Sequence, residues 1–356
     1  MTSLFDSAQF GKIPLKNRLV MAPMTRNRAK PCGGATELMA QYYAQRASAG
    51  LIITEGIQPS AVGQGFLNTP GLHHPEQVNS WRGVTDAVHA AGGSIVAQLM
   101  HAGRIGHPSL YAGAHQSVAP SAVTAAGQCF TPNGLADYSA PRELTTDEIA
   151  ETVADFALAA RNAIEAGFDG VEIHAGNGFL LHQFLAENTN HRTDAYGGPI
   201  TNRIRFTLEV TEAVVTAIGN ERTSMRLSPA NPYNDIAEGD SEGIYGALVP
   251  ALPELAFLEV CEIVTRPVTR TIRQAWGGNL ILNPHMTPDS FPASAETART
   301  VLEGGLTDAV SLGALFLANP DLPARIKAGS PFNVADEATF YGGDHRGYTD
   351  YTFLDQ

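Results

Sequence analysis

Lysine and arginine are scarce in this chain. Together they number 23 against 36 acidic residues, a formal net charge of −13 over 356 positions. That balance argues against a surface built for a nucleic-acid backbone or an anionic lipid face, so neither is an expected partner. Cysteine is scarcer still. Cys32, Cys129 and Cys261 are odd in number and far apart, which fits neither a disulfide framework nor a set of metal ligands. No apolar run reaches the ~18 residues needed to cross a bilayer. The opening residues, Met1 to Ser7, hold neither a basic stretch nor a hydrophobic one. No secretory signal is therefore expected, and a cytoplasmic location is. No Gly-x-Gly-x-x-Gly follows the first candidate strand, which lowers the case for an open dinucleotide-binding sheet.

What is present is a repeated alternation of short apolar runs with helical stretches. The runs are Asn17 to Thr25, Leu51 to Gly56, Gly93 to Leu99, the stretch Gly167 to Leu185 with its apolar Val171 and Ile173, Ser224 to Pro229, Phe257 to Cys261, Asn279 to Asn283 and Ala309 to Gly313. Helices are expected over Thr36–Ala49, Glu76–Ala91 and Thr201–Ile218. Another follows the capping box Thr145-Thr146-Asp147-Glu148 and runs to Gly167. Eight buried strands alternating with helices predict an α/β fold, a single (β/α)8 TIM barrel over 1–356. A Gly-, Pro-, Ser- and Ala-rich stretch from His101 to Pro141 reads as a lid-like excursion after the third strand.

A barrel carries its chemistry at the C-terminal ends of its strands. Here those ends hold Pro23 to Thr25, Gly56, Gln98, His174 with Asn177, Arg226, Asn283 to His285, and Gly313 with Ala314. His174 and Asn177 are neutral hydrogen-bond donors just past a strand, suited to one oxygen that bears or develops negative charge. A helix cap beside a core histidine accounts for them equally well. Gln98 and Arg226 supply amide hydrogen bonds and a fixed positive charge, which suit a planar, electron-accepting heterocycle. Loops after the last two strands are common phosphate sites. No lysine stands among these ends, which disfavours a Schiff-base barrel. His182, His101 and Arg104 have plain packing or loop readings.

The chain resembles the Old Yellow Enzyme family of FMN-dependent ene-reductases over nearly its whole length. The resemblance rests on Met21-Ala22-Pro23-Met24-Thr25-Arg26, Gln98-Leu99-Met100-His101-Ala102-Gly103-Arg104 and His174-Ala175-Gly176-Asn177-Gly178. It continues through Asn190 to Gly198, Arg226-Leu227-Ser228-Pro229, Ala318-Asn319-Pro320 and Phe340-Tyr341-Gly342-Gly343. It implies FMN as cofactor, NADPH or NADH as reductant, and an α,β-unsaturated carbonyl compound as small-molecule substrate. By the same resemblance Pro23, Met24, Thr25, Gly56, Gln98 and Arg226 would hold the flavin ring. His285, Gly313 and Ala314 would lie at its phosphate. His174 and Asn177 would hold the substrate carbonyl, in a pocket bounded by Phe66, Met100, Phe179 and Tyr341. A monomer or homodimer is expected.

Against the family pattern, Phe179 stands where a proton-donating Tyr is usual, and Phe66 and Met100 also replace more polar aromatics. A phenyl ring has no proton to give. Three consequences are open: protonation by water or another residue such as Tyr341, return of the hydride with net double-bond isomerisation, or a substrate that needs no proton there. Ala314 stands where an Arg usually meets the FMN phosphate, and Pro284 removes a backbone donor from the neighbouring loop. Looser FMN binding is expected, and a barrel that has lost flavin for a non-redox or ligand-binding role is the alternative.

Overall fold

Three-residue strands β1 (Ala8–Phe10) and β2 (Ile13–Leu15) open the chain as an antiparallel hairpin. The computed structural model describes residues 2–111, 115–263, 266–285 and 293–354; Met1 and Met286 lie outside them. Next come β3 (Leu19–Met21), β4 (Leu51–Ile57) and β5 (Ile95–Leu99). Four short strands of the excursion follow: β6 (Val118–Ala119), β7 (Gln128–Thr131), β8 (Gly134–Asp137) and β9 (Arg142–Glu143). The chain then forms β10 (Gly170–Ala175), β11 (Thr223–Leu227), β12 (Phe257–Cys261), β13 (Leu280–Asn283) and β14 (Ala309–Leu312). Eight of these close in the order β10-β11-β12-β13-β14-β3-β4-β5, parallel throughout. The expected barrel is the observed one.

The helices form where the sequence placed them, to within a few residues. Thr145 accepts from the Glu148 N–H while Glu148 answers the Thr145 N–H, so the capping box starts the helix Thr146–Glu165. The stretch expected as one helix over Thr201–Ile218 divides into Ile200–Arg203 and Arg205–Ile218. The excursion is more ordered than its composition suggested. β7 and β8 pair antiparallel across Pro132-Asn133, and β6 pairs with β9. Much of the hairpin is exposed, so it has little of the apolar alternation that marks a strand.

The hairpin β1–β2 plugs the barrel floor. Phe10, Ile13 and Leu15 pack against Val20, Leu51, Ile53, Val96, Phe257, Ile281 and Ala309, the inward residues at the strand starts. Burying each large apolar side chain contributes roughly 1.5–3 kcal/mol, so this end is sealed by hydrophobic packing.

At the other end the chain after Phe340 is strapped to the barrel by buried arginines. Arg26 donates through Nε to the Phe340 carbonyl at 2.8 Å and through a terminal nitrogen to the Gly347 carbonyl at 2.9 Å. Tyr348 stacks on Tyr42 with ring centroids 3.9 Å apart, and the Arg46 guanidinium lies 3.8 Å from the centre of the Tyr42 ring. Beneath them sits Glu55, fully buried, accepting from the Tyr43 hydroxyl at 3.3 Å and the Arg26 N–H at 3.4 Å. Burial outweighs these donors and pushes its carboxyl up to about 7.

That shift has a sign. The folded state holds a proton on Glu55 that the unfolded chain releases above pH 4.5. Its contribution to stability is full below that pH, declines as the pH rises to 7, and is lost above. The difference is about 3 kcal/mol. Glu55→Gln is expected to flatten the fall in urea-unfolding stability between pH 5 and 8, and an unchanged slope would refute the assignment.

Candidate active site

Strand alternation sends Glu172 and His174 of β10 to the same inner face. Parallel register sets His174 beside Arg226 and Arg226 beside Glu259. The result is a polar layer above the apolar plug, made of Gln98, Glu172, Arg226 and Glu259, each at most 4% exposed. Gln98 Nε2 donates to Glu172 Oε1 at 2.9 Å, which leaves its carbonyl oxygen as an acceptor toward the cleft. Ser311 donates to Glu259 Oε1 at 2.5 Å, and Arg226 forms an ion pair with that same oxygen. Burial, then the neighbouring Glu259, pushes Glu172 well above the usual carboxylate range, so it is held as the acid. Burial alone would disfavour the Arg226 charge, but Glu259 beside it keeps the guanidinium firmly protonated. The buried Nε of Arg226 has no hydrogen-bond partner among the described residues.

Two cavities open above this layer and share Pro23, Thr25 and Tyr341 as walls. The smaller, about 270 Å³, is lined by Met24, Arg226, His285, Gly313 and Ala314. The larger, about 710 Å³, holds Gln98, His174, Asn177, Phe66, Met100 and Phe179. Its size is ordinary for a small-molecule site. The strand ends singled out from sequence thus line these two adjoining cavities, except Gly56 and Pro284. That glycine lines neither cavity; a Cβ there would come 2.6 Å from Met100 Sδ, so it makes room for the methionine. Tyr341 lines both cavities but is 66% exposed.

Asn177 adopts a left-handed backbone conformation at φ 53°, which places its amide over the cleft. Three neighbours fix it. Its N–H donates to Ser228 Oγ at 2.6 Å, and Asn234 Nδ2 donates to its carbonyl at 2.8 Å. Asn231 Nδ2 donates to Asn177 Oδ1 at 2.8 Å, while Asn231 Oδ1 is itself occupied by the Tyr233 N–H at 3.0 Å. The acceptor end of the Asn177 amide is therefore used, and its N–H₂ end remains for a ligand. Gly178 follows at φ 75°, where a Cβ would strike Asn234 and the Tyr233 carbonyl at 2.6 Å, so only glycine fits.

His174 lies 3% exposed with Nδ1 unpartnered. Burial, then the Arg226 charge and His182, holds it well below the usual histidine range, so the imidazole is neutral. Its ring centroid stands 5.2 Å from that of Phe179, which packs edge-on against Phe66 at 6.2 Å. His182 is a structural residue. It accepts the Gly178 N–H on Nδ1 and bonds Glu238 Oε1 at 2.5 Å through Nε2. Arg104 is another, donating to the Asn234 and Asp235 carbonyls at 3.1 and 2.6 Å and so anchoring the loop that steadies Asn177.

Sequence reasoning missed Glu172, Glu259, Asn231 and Tyr138, all at this site. Glu172 was findable, being two residues before His174 on the same face. Asn231 reaches Asn177, and Tyr138 the larger cavity, through loops whose course no local pattern reveals.

The family model for the NADH:flavin oxidoreductase / NADH oxidase family matches residues 3–333. The chain is 43% identical to a probable flavin mononucleotide-dependent alkene reductase of Leishmania infantum, across 97% of this chain and 95% of that protein. It is 42% identical to putative 12-oxophytodienoate reductase 5 of Oryza sativa subsp. japonica, over 97% and 93%. Among solved structures, morphinone reductase in complex with tetrahydroNAD matches with a TM-score of 0.94 and 43% identity, covering 100% of this chain and 98% of that one. The old yellow enzyme homologue from Zymomonas mobilis matches with 0.94 and 42%, over 99% and 100%. The chain belongs to the NADH:flavin oxidoreductase / NADH oxidase family, the FMN-dependent oxidoreductases of the Old Yellow Enzyme type.

Proposed function

We propose that the protein reduces the activated C=C bond of α,β-unsaturated carbonyl compounds at the expense of NADH or NADPH. The observation that carries this reading is the orientation of the Asn177 amide beside a neutral, unpartnered His174. Together they offer two hydrogen bonds to one oxygen above a buried cation.

The residues present fit FMN. The unpartnered Nε of Arg226 and the outward acceptor of Gln98 match the polar edge of a flavin ring, and Thr25 and Pro23 wall the space where the two cavities join. Bound and reduced, FMN supplies hydride. The chain's own groups do the rest. His174 and Asn177 hold the carbonyl oxygen and stabilise the charge it gains when the β-carbon takes hydride. Phe66, Met100 and Phe179 exclude water from the carbon skeleton. Phe179 gives no proton, which also supports a second reading in which hydride returns and the double bond migrates.

Among the described residues the phosphate end is less well provided. Around the smaller cavity Arg26 is committed to the strap, and Ala314 carries no donor side chain. Without a charge-assisted hydrogen bond from position 314, phosphate binding is weaker by about 1.5–3 kcal/mol. FMN is therefore expected to leave on dialysis, and Ala314→Arg to tighten it by about tenfold to a hundredfold, read by flavin fluorescence. Full retention through dialysis would refute the weakness. The reading as a whole is tested anaerobically. NADH or NADPH should bleach the yellow protein and cyclohexenone restore its colour, whereas protein that stays colourless with excess FMN would end it.

A further inference from the structure

Reduction of an enone needs a proton at the α-carbon as well as hydride at the β-carbon. Phe179, two positions past Asn177 of the carbonyl-binding pair, has none to offer. The larger cavity nevertheless contains hydroxyl groups, and their surroundings differ. Tyr233 and Tyr341 stand at the mouth, 56% and 66% exposed. Tyr138, directly after β8 on the lid hairpin, is half-buried and packs against the apolar cluster of Met100, Ala102, Ile105, Ala125 and Phe179. The lid thus lowers a phenol onto the wall from which position 179 withholds one.

The Tyr138 hydroxyl has no hydrogen-bond partner among the described residues, and it is not sealed from the cavity that its ring lines. Open to the cavity and engaged by no protein acceptor among the described residues, the hydroxyl is free to donate to a molecule bound there. Burial, then Cys129 and Tyr233, pushes it up to about 12, so it carries its proton throughout the neutral range. The thiol of Cys129 beside it is turned away, donating to the Ala136 carbonyl at 3.6 Å.

We propose that Tyr138 is the catalytic acid of this site and delivers the α-carbon proton from the lid side of the cleft. The inference rests on the reading of the site as an ene-reductase. Hydride reaches the β-carbon with its electron pair, and the negative charge moves to the oxygen between His174 and Asn177. The α-carbon then takes the phenolic proton as the carbonyl reforms, and water at the cavity mouth reprotonates the phenolate. A lid-borne donor fixes the face of protonation, because the proton comes from one direction only.

The test is Tyr138→Phe with 2-methylcyclohexenone, whose reduction makes the α-carbon a stereocentre. The unsubstituted protein is expected to give one hand of 2-methylcyclohexanone. The variant is expected to consume the enone at least about tenfold more slowly, since general acid catalysis is worth that much or more, and to give both hands. Its flavin content and melting temperature should not change, because the hydroxyl makes no hydrogen bond. An unchanged rate with the same single hand overturns the proposal. So does loss of the preference in Tyr341→Phe but not in Tyr138→Phe. If the unsubstituted protein bleaches with NADH yet leaves the enone untouched, the reading of the site falls first, and the role of Tyr138 with it.

Discussion

Exchanging His174 for alanine lowers kcat/KM for a cyclic enone by about 10²–10³, because each donor aimed at a developing oxyanion is worth about 3 kcal/mol in a water-poor site. Asn177→Ala should cost a similar factor. The double variant should lose less than the product of the two, since both donors serve one oxygen. Asn231→Asp is the sharper probe. An aspartate at that position accepts only, so the Asn177 amide must turn its N–H₂ toward it and present an oxygen to the substrate carbonyl. The loss should approach that of Asn177→Ala although residue 231 touches no substrate. If Asn231→Asp keeps full kcat/KM with flavin bound, the fixed amide is not the catalytic feature. The imidazole is held neutral by burial, so its own titration should leave kcat/KM level from about pH 6 to 8.

The second large effect concerns stability. Arg226→Leu leaves Glu259 buried without its cation, beside an already protonated Glu172. Removing one partner of a buried ion pair costs about 3–5 kcal/mol, whereas replacing both by apolar groups is often close to neutral. Urea unfolding should therefore show Arg226→Leu strongly destabilised and Arg226→Leu with Glu259→Leu largely restored. Flavin binding should be lost in both, because the guanidinium and its free Nε donor are gone in both. Equal stability of the single and double variants would show that the pair is not what anchors the layer.

The barrel was legible because its strands are buried on both faces and write themselves as apolar runs of three to seven residues between helices with good caps. The strand-end residues followed from that count alone. The plug formed by Phe10, Ile13 and Leu15 was not legible, since three-residue strands around Gly11 give too short a pattern to stand out. Nor was the lid hairpin, exposed on much of its surface. At the site, sequence could name His174 and Asn177 but not say which end of the asparagine amide faces the ligand. That is decided by Asn231, 54 positions away. The assignment of Gly56 to the cofactor followed a motif, and the structure shows what a motif cannot, a methionine filling the space beside it.

The strap that ends the described chain has a bearing on how this molecule is made. Arg18 meets the carbonyl of Asp308, 290 positions on, where the first barrel strand is reached by the last. Arg26 meets the carbonyl of Gly347, 321 positions on. Both contacts come from residues that leave the ribosome well before their partners, 290 and 321 positions on, are made. Until then Arg18 and Arg26 lack these late acceptors and the sheet has two open edges, an invitation to pairing between neighbouring nascent chains. The cofactor cleft, walled in part by Tyr341, is thus complete only once the strap is in place.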